Sequence, residues 1–98
     1  MSDPAGTASG PLTRELEIVN QYGIHARPAA LFAKVASRYD ADVTVERGGQ
    51  QVSGKSIMGL MTLEASFGTK LKVTVEGPDA EQALDELAAL VNRRFDED

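Results

Sequence analysis

The order in which hydrophobic periodicities follow one another restricts this chain's fold more than any other feature. Leu12, Leu16 and Ile18 share one parity, as do Val43 and Val45, and again Leu71, Val73 and Val75. A period of two marks half-buried strands. Gln51 to Ser53 return as a further short strand after Gly48-Gly49, a tight-turn signal. Between these stretches the spacing becomes helical. Ala29, Ala30, Phe32, Ala33 and Ala36 recur within 26–39, a short apolar segment spans 56–63, and Ala80, Leu84, Leu87, Ala88 and Val91 follow Pro78-Asp79. The predicted order is β-α-β-β-α-β-α. Four strands and three helices of similar total length fit a two-layer α+β fold with all helices on one face.

At 98 residues the chain makes one domain. Residues 1–11 are small residues, Gly and Pro with nothing to bury, and read as a disordered extension. The domain is expected over 12–95, with an acidic tail at 96–98. No apolar run approaches the about 18 residues of a membrane span, so no membrane insertion is expected. Zero cysteines exclude disulfides, thiolate metal sites and cysteine nucleophiles. One histidine excludes a His-rich metal cage. The composition reads as cytoplasmic, with neither metal nor organic cofactor. A net charge of -5 argues against nucleic acid, whose phosphates need a basic face. The charge is uneven, because residues 76–98 carry eight of the 15 acids and two of the ten bases. From Val19 to Tyr39 there are Arg27, Lys34 and Arg38 and no acid.

That positive stretch contains His25, the one side chain suited to chemistry near neutral pH. Pro28 is tolerated only in the first turn of a helix, which places the helix start at or beside His25. The amides of Ala26 and Arg27 would then be orphan donors at a helix N-terminus, an arrangement that favours anions. Arg27 adds a guanidinium able to grip two phosphate oxygens. An imidazole beside an anion cradle suits reversible phosphorylation on histidine.

Gly23-Ile24-His25-Ala26-Arg27-Pro28-Ala29 resembles the active-site loop of the histidine-containing phosphocarrier (HPr) family of the bacterial phosphotransferase system. Lys55-Ser56-Ile57-Met58-Gly59-Leu60-Met61 resembles the family's regulatory serine segment. The resemblance covers about residues 12–95. It implies an open-faced sandwich, a four-stranded antiparallel sheet with three helices on one face. It further implies that His25 accepts a phosphoryl group on Nδ1 from Enzyme I and passes it to an Enzyme IIA-type protein. In that relay Arg27 contacts the phosphate. The protein would be a monomeric carrier, not an enzyme, whose transfers are completed by its partners. Tyr22 departs from the family pattern, being bulky where members often carry smaller or polar residues. Sugar-uptake and nitrogen-related members share both motifs.

Ser56 has the character of a helix N-cap. The resemblance adds that it is the target of an HPr kinase/phosphorylase in many members. Gly59 inside a short helix points to close packing or close partner approach. Ile57, Met58, Leu60, Met61 and Leu63 are too many apolar groups for one buried stripe. Some are expected at the surface, and the resemblance makes Ile57, Met58 and Met61 partner-docking residues. Gly49 to Ser56 also matches the P-loop pattern of nucleotide-binding proteins. Its context argues against that reading, because a strand is expected between the two glycines and the helix that follows is short.

Overall fold

A computed structural model describes residues 10–97; the first part of the expected disordered extension, residues 1–9, lies outside the described residues. The elements are β1 (Leu12–Glu17), α1 (Ala26–Ser37), β2 (Asp42–Arg47), β3 (Gln50–Ser53), α2 (Ile57–Thr62), β4 (Lys70–Glu76) and α3 (Ala80–Asn92). One turn, Arg94–Asp96, follows α3. The order agrees with the periodicity, and the sheet is antiparallel throughout, arranged β1-β4-β2-β3.

Register explains why the sheet has one dry and one wet face. Val75 pairs with Val43 and Val73 with Val45, while Leu71 pairs with Leu16, and all six are buried. On the opposite parity Lys72 sits between Glu15 and Glu46, and Thr74 between Thr13 and Thr44. Cross-strand pairs of opposite charge and of threonines stabilise an open sheet face by about 0.2–1 kcal/mol each. The helices cover the dry face. Phe32, Ala29 and Ala36 of α1, Leu60 of α2, and Ala83, Leu87, Leu90 and Val91 of α3 are buried in one core. The C-terminal end of α1 is tied to the middle of α3 through Glu86, which accepts from Arg38 at 2.8 Å and from the Tyr39 hydroxyl.

Beyond α3 the chain does not trail off. Arg94, Phe95 and Asp96 have φ of 61°, 55° and 60°, three successive left-handed residues of which none is glycine. Each such residue costs about 1–2 kcal/mol. Phe95 holds the turn in place: its side chain is fully buried in the core, and Arg93 closes an ion pair with Asp96 at 2.9 Å.

Phe95→Ala is therefore expected to lower stability by about 3–5 kcal/mol, as for other buried aromatics. The strained turn should be released with it. Denaturant unfolding of the two proteins measures the loss, and a change below 1 kcal/mol (~1) would mean that the ring is not a core residue.

Candidate functional site

His25 is the N-cap of α1, where the sequence places the helix start. The loop before it is fastened by backbone contacts. The Ile24 amide donates to the Ala65 carbonyl at 2.8 Å, and Gly23 passes over the same carbonyl with φ of 68°. A Cβ on Gly23 would lie 2.2 Å from the Ala65 oxygen, so only glycine permits this close approach. Pro28 and Ala29 are buried under the first turn, leaving His25, Ala26 and Arg27 exposed. The amides of Ala26 and Arg27 have no partner among the described residues. Nor does the Arg27 guanidinium meet a carboxylate there. A phosphate at this helix end would find backbone donors, a favourable dipole and a cation together.

The imidazole is oriented by two neighbours. Tyr22 stands edge-on to the ring, with centroids 6.4 Å apart and planes at 85°. Glu97 brings Oε2 to 2.9 Å from His25 Nε2, while its Oε1 accepts from Asn20 Nδ2 at 3.0 Å. Asn20 Nδ2 also donates to the Gly23 carbonyl at 2.8 Å. The acidic tail expected over 96–98 gives Glu97 no part in the site, and no sequence motif marks Asn20. The one local signal was Phe95, a lone aromatic within a charged run, which marks a point where the chain returns to the core.

Ser56 caps α2, its Oγ accepting from the Gly59 amide at 2.9 Å. Gly59 is explained by packing: a Cβ there would lie 3.0 Å from Ser56 Oγ and 3.2 Å from Val52 Cβ. The apolar surplus on α2 divides as its spacing suggested. Leu60 and Leu63 are buried, whereas Ile57, Met58 and Met61 are exposed. Helix α2 packs against α1, so these residues share the helical side of the molecule with His25. The P-loop resemblance dissolves in the fold. Strand β3 separates Gly49, in the β2-β3 turn, from Gly54 and Lys55, in the segment before α2, and Lys55 Nζ points to the Tyr39 carbonyl. Among the described residues no group of acidic and histidine side chains is arranged to hold a metal ion, and no helix is long and apolar enough to cross a membrane.

Comparison with known proteins agrees with this geometry. Residues 12–93 match the family described as PTS HPr component phosphorylation site. Phosphocarrier protein HPr of Pseudomonas aeruginosa is 48% identical over 84 residues, covering 85% of this chain and 93% of that protein. Phosphocarrier protein NPr of Shewanella violacea is 41% identical, covering 88% and 94%. Among solved structures, HPr-C-His of Thermoanaerobacter tengcongensis superposes with a TM-score of 0.85 at 41% identity, covering 89% of this chain and 98% of that one. The chain belongs to the HPr family of phosphocarrier proteins of the phosphotransferase system.

The Ser56 cap yields a stability expectation. Ser56→Ala leaves the Gly59 amide without its acceptor and should cost about 1 kcal/mol. Urea unfolding measures it, and equal midpoints would show that α2 does not depend on the cap.

Proposed function

We propose that His25 is the phosphoryl acceptor of this chain, taking the group on Nδ1 from phospho-Enzyme I and passing it to a histidine of an Enzyme IIA-type protein. The observation that supports this reading is the placement of an exposed imidazole at the N-cap of α1, beside Arg27 and two amides that have no partner among the described residues. The Nδ1 lone pair forms the new N–P bond as the donor's P–N bond breaks and its electron pair returns to the donor nitrogen. Charge on the transferring group is met by the helix-end donors and the guanidinium. In-line alignment comes from the two proteins together, so the chain acts as a carrier and each transfer is completed in a partner's site. No cofactor enters. The carrier works as a monomer in the cytoplasm, with Ile57, Met58 and Met61 as the apolar part of the surface that partners meet.

Ser56 is the regulatory position in this reading, phosphorylated by an HPr kinase/phosphorylase. A phosphate there adds about -1.5 to -2 charges at the start of α2. The helix end tolerates that charge, but a partner docking on Ile57, Met58 and Met61 must desolvate it, which weakens association.

Incubation with Enzyme I and phosphoenolpyruvate, followed by intact mass measurement, is expected to show one acid-labile phosphate. His25→Ala should show none. An equal mass gain in His25→Ala would place the phosphate elsewhere and overturn the reading.

For Ser56, the initial rate of His25 phosphorylation by Enzyme I should fall in Ser56→Asp and stay near wild type in Ser56→Ala, with a folded melting curve in both. Equal rates in all three proteins would leave Ser56 as a cap and nothing more.

A further inference from the structure

Glu64 occupies a place that local chemistry disfavours in two ways. It follows Leu63, the C-cap of α2, with φ of 52°, at the position where helices commonly end in a left-handed glycine. Apart from the turn that Phe95 holds, every other described residue with positive φ is a glycine. A β-carbon in that conformation is crowded by the following carbonyl. The carboxylate also stands at the negative end of the helix dipole, and the last turn of α2 has no basic residue to offset it. Glu64 is exposed and forms no ion pair among the described residues, so its side chain gains nothing there in return.

Its location is one that a partner must cover. Met61, three residues earlier, is exposed on α2, and Ala65, the next residue, carries the carbonyl that receives the Ile24 amide and lies under Gly23. Glu64 therefore joins the apolar surface of α2 to the loop that presents His25. It is also the one acid from Arg47 to Val75, a stretch with four bases, and Val19 to Tyr39 has three bases and no acid. We propose that Glu64 is a specificity-determining residue for the phosphoryl relay: its carboxylate selects protein partners that bring a lysine or arginine to the rim of the histidine site, and disfavours those that bring an acid. Cations belong at such a rim, because a site that handles a phosphoryl group needs positive charge to stabilise it. The left-handed backbone that presents the carboxylate is strain of the kind concentrated at functional positions. This role rests on the reading of His25 as phosphoryl acceptor.

The test measures stability and partner recognition in the full chain for Glu64→Gln, Glu64→Gly and Glu64→Lys. Glutamine keeps the strained backbone and removes the charge, whereas glycine removes both. Glu64→Gly should melt about 4 °C above wild type, and Glu64→Gln within about 2 °C of it. Transfer is then followed with phospho-Enzyme I as donor and with an Enzyme IIA-type protein as acceptor. The KM for at least one of them should rise about threefold in both the glutamine and glycine variants, the scale of an exposed ion pair. In Glu64→Lys the same KM should rise about tenfold, because a like charge then meets the partner's cation. The kcat should stay within about twofold of wild type throughout, as expected for a group that acts in docking and not on the reacting atoms. Added salt should weaken recognition of wild type more than of Glu64→Gln. A wild-type or lower KM for both partners in Glu64→Lys would overturn the proposal. So would a glycine variant no more stable than wild type, or a KM that rises with glycine alone. No phosphate uptake by wild type would overturn the reading of His25 and, with it, this role of Glu64.

Discussion

The dry face of the sheet governs the rest of the molecule. Val43 and Val45 in β2, and Leu71, Val73 and Val75 in β4, are buried side by side, while the alternate residues carry charge or hydroxyls. A sheet with this pattern has one stable arrangement, a helical layer on the apolar side. Helix α1 is held there by Phe32, Ala29 and Ala36, and its first turn must then end at the rim of the core. The chain entering that turn is pinned by Ile24 and Gly23 against the Ala65 carbonyl. His25 thus owes its position to core packing on one side and a backbone clasp on the other. Nothing within the loop alone would hold it.

The electrostatics are divided between the two ends of the domain in a way that serves an anion. The stretch from Val19 to Tyr39 contains no acid, and the helix N-terminus adds its own partial positive charge. A carboxylate placed on this stretch would compete with a phosphate for the amides of Ala26 and Arg27. Among the described residues, the one acid that touches the histidine comes from the far end of the domain and meets Nε2. Donors for the phosphate and an acceptor for the ring proton therefore occupy separate places around one side chain.

Most of this was legible in the sequence, for local reasons. Strand parity, Pro28 at a helix start and a serine before an apolar helix each act within a few residues, and each appears in the fold where its chemistry requires. A simple excess of apolar groups over the width of one helix face predicts that some of those on α2 are exposed, whereas the choice of Ile57, Met58 and Met61 rests on the family resemblance. The contributions of Asn20, Phe95 and Glu97 were hidden because they depend on contacts across the whole domain. A left-handed turn with no glycine carries no local sequence mark, and its conformation is imposed by the burial of Phe95. Tyr22 stood out as a bulky residue beside the loop, yet its edge-on contact with the imidazole is set by the path of the chain through Gly23.

With Nε2 engaged by Glu97, the imidazole has one ring nitrogen, Nδ1, that makes no hydrogen bond among the described residues. In a relay through this ring, donor and recipient must use that same atom and approach it from the same side. They exclude one another, and no complex of all three proteins can transfer the group directly. Throughput then depends on how quickly each encounter ends. A surface with only a few exposed apolar side chains suits such brief encounters, because tight binding to either neighbour would stall the cycle by delaying release.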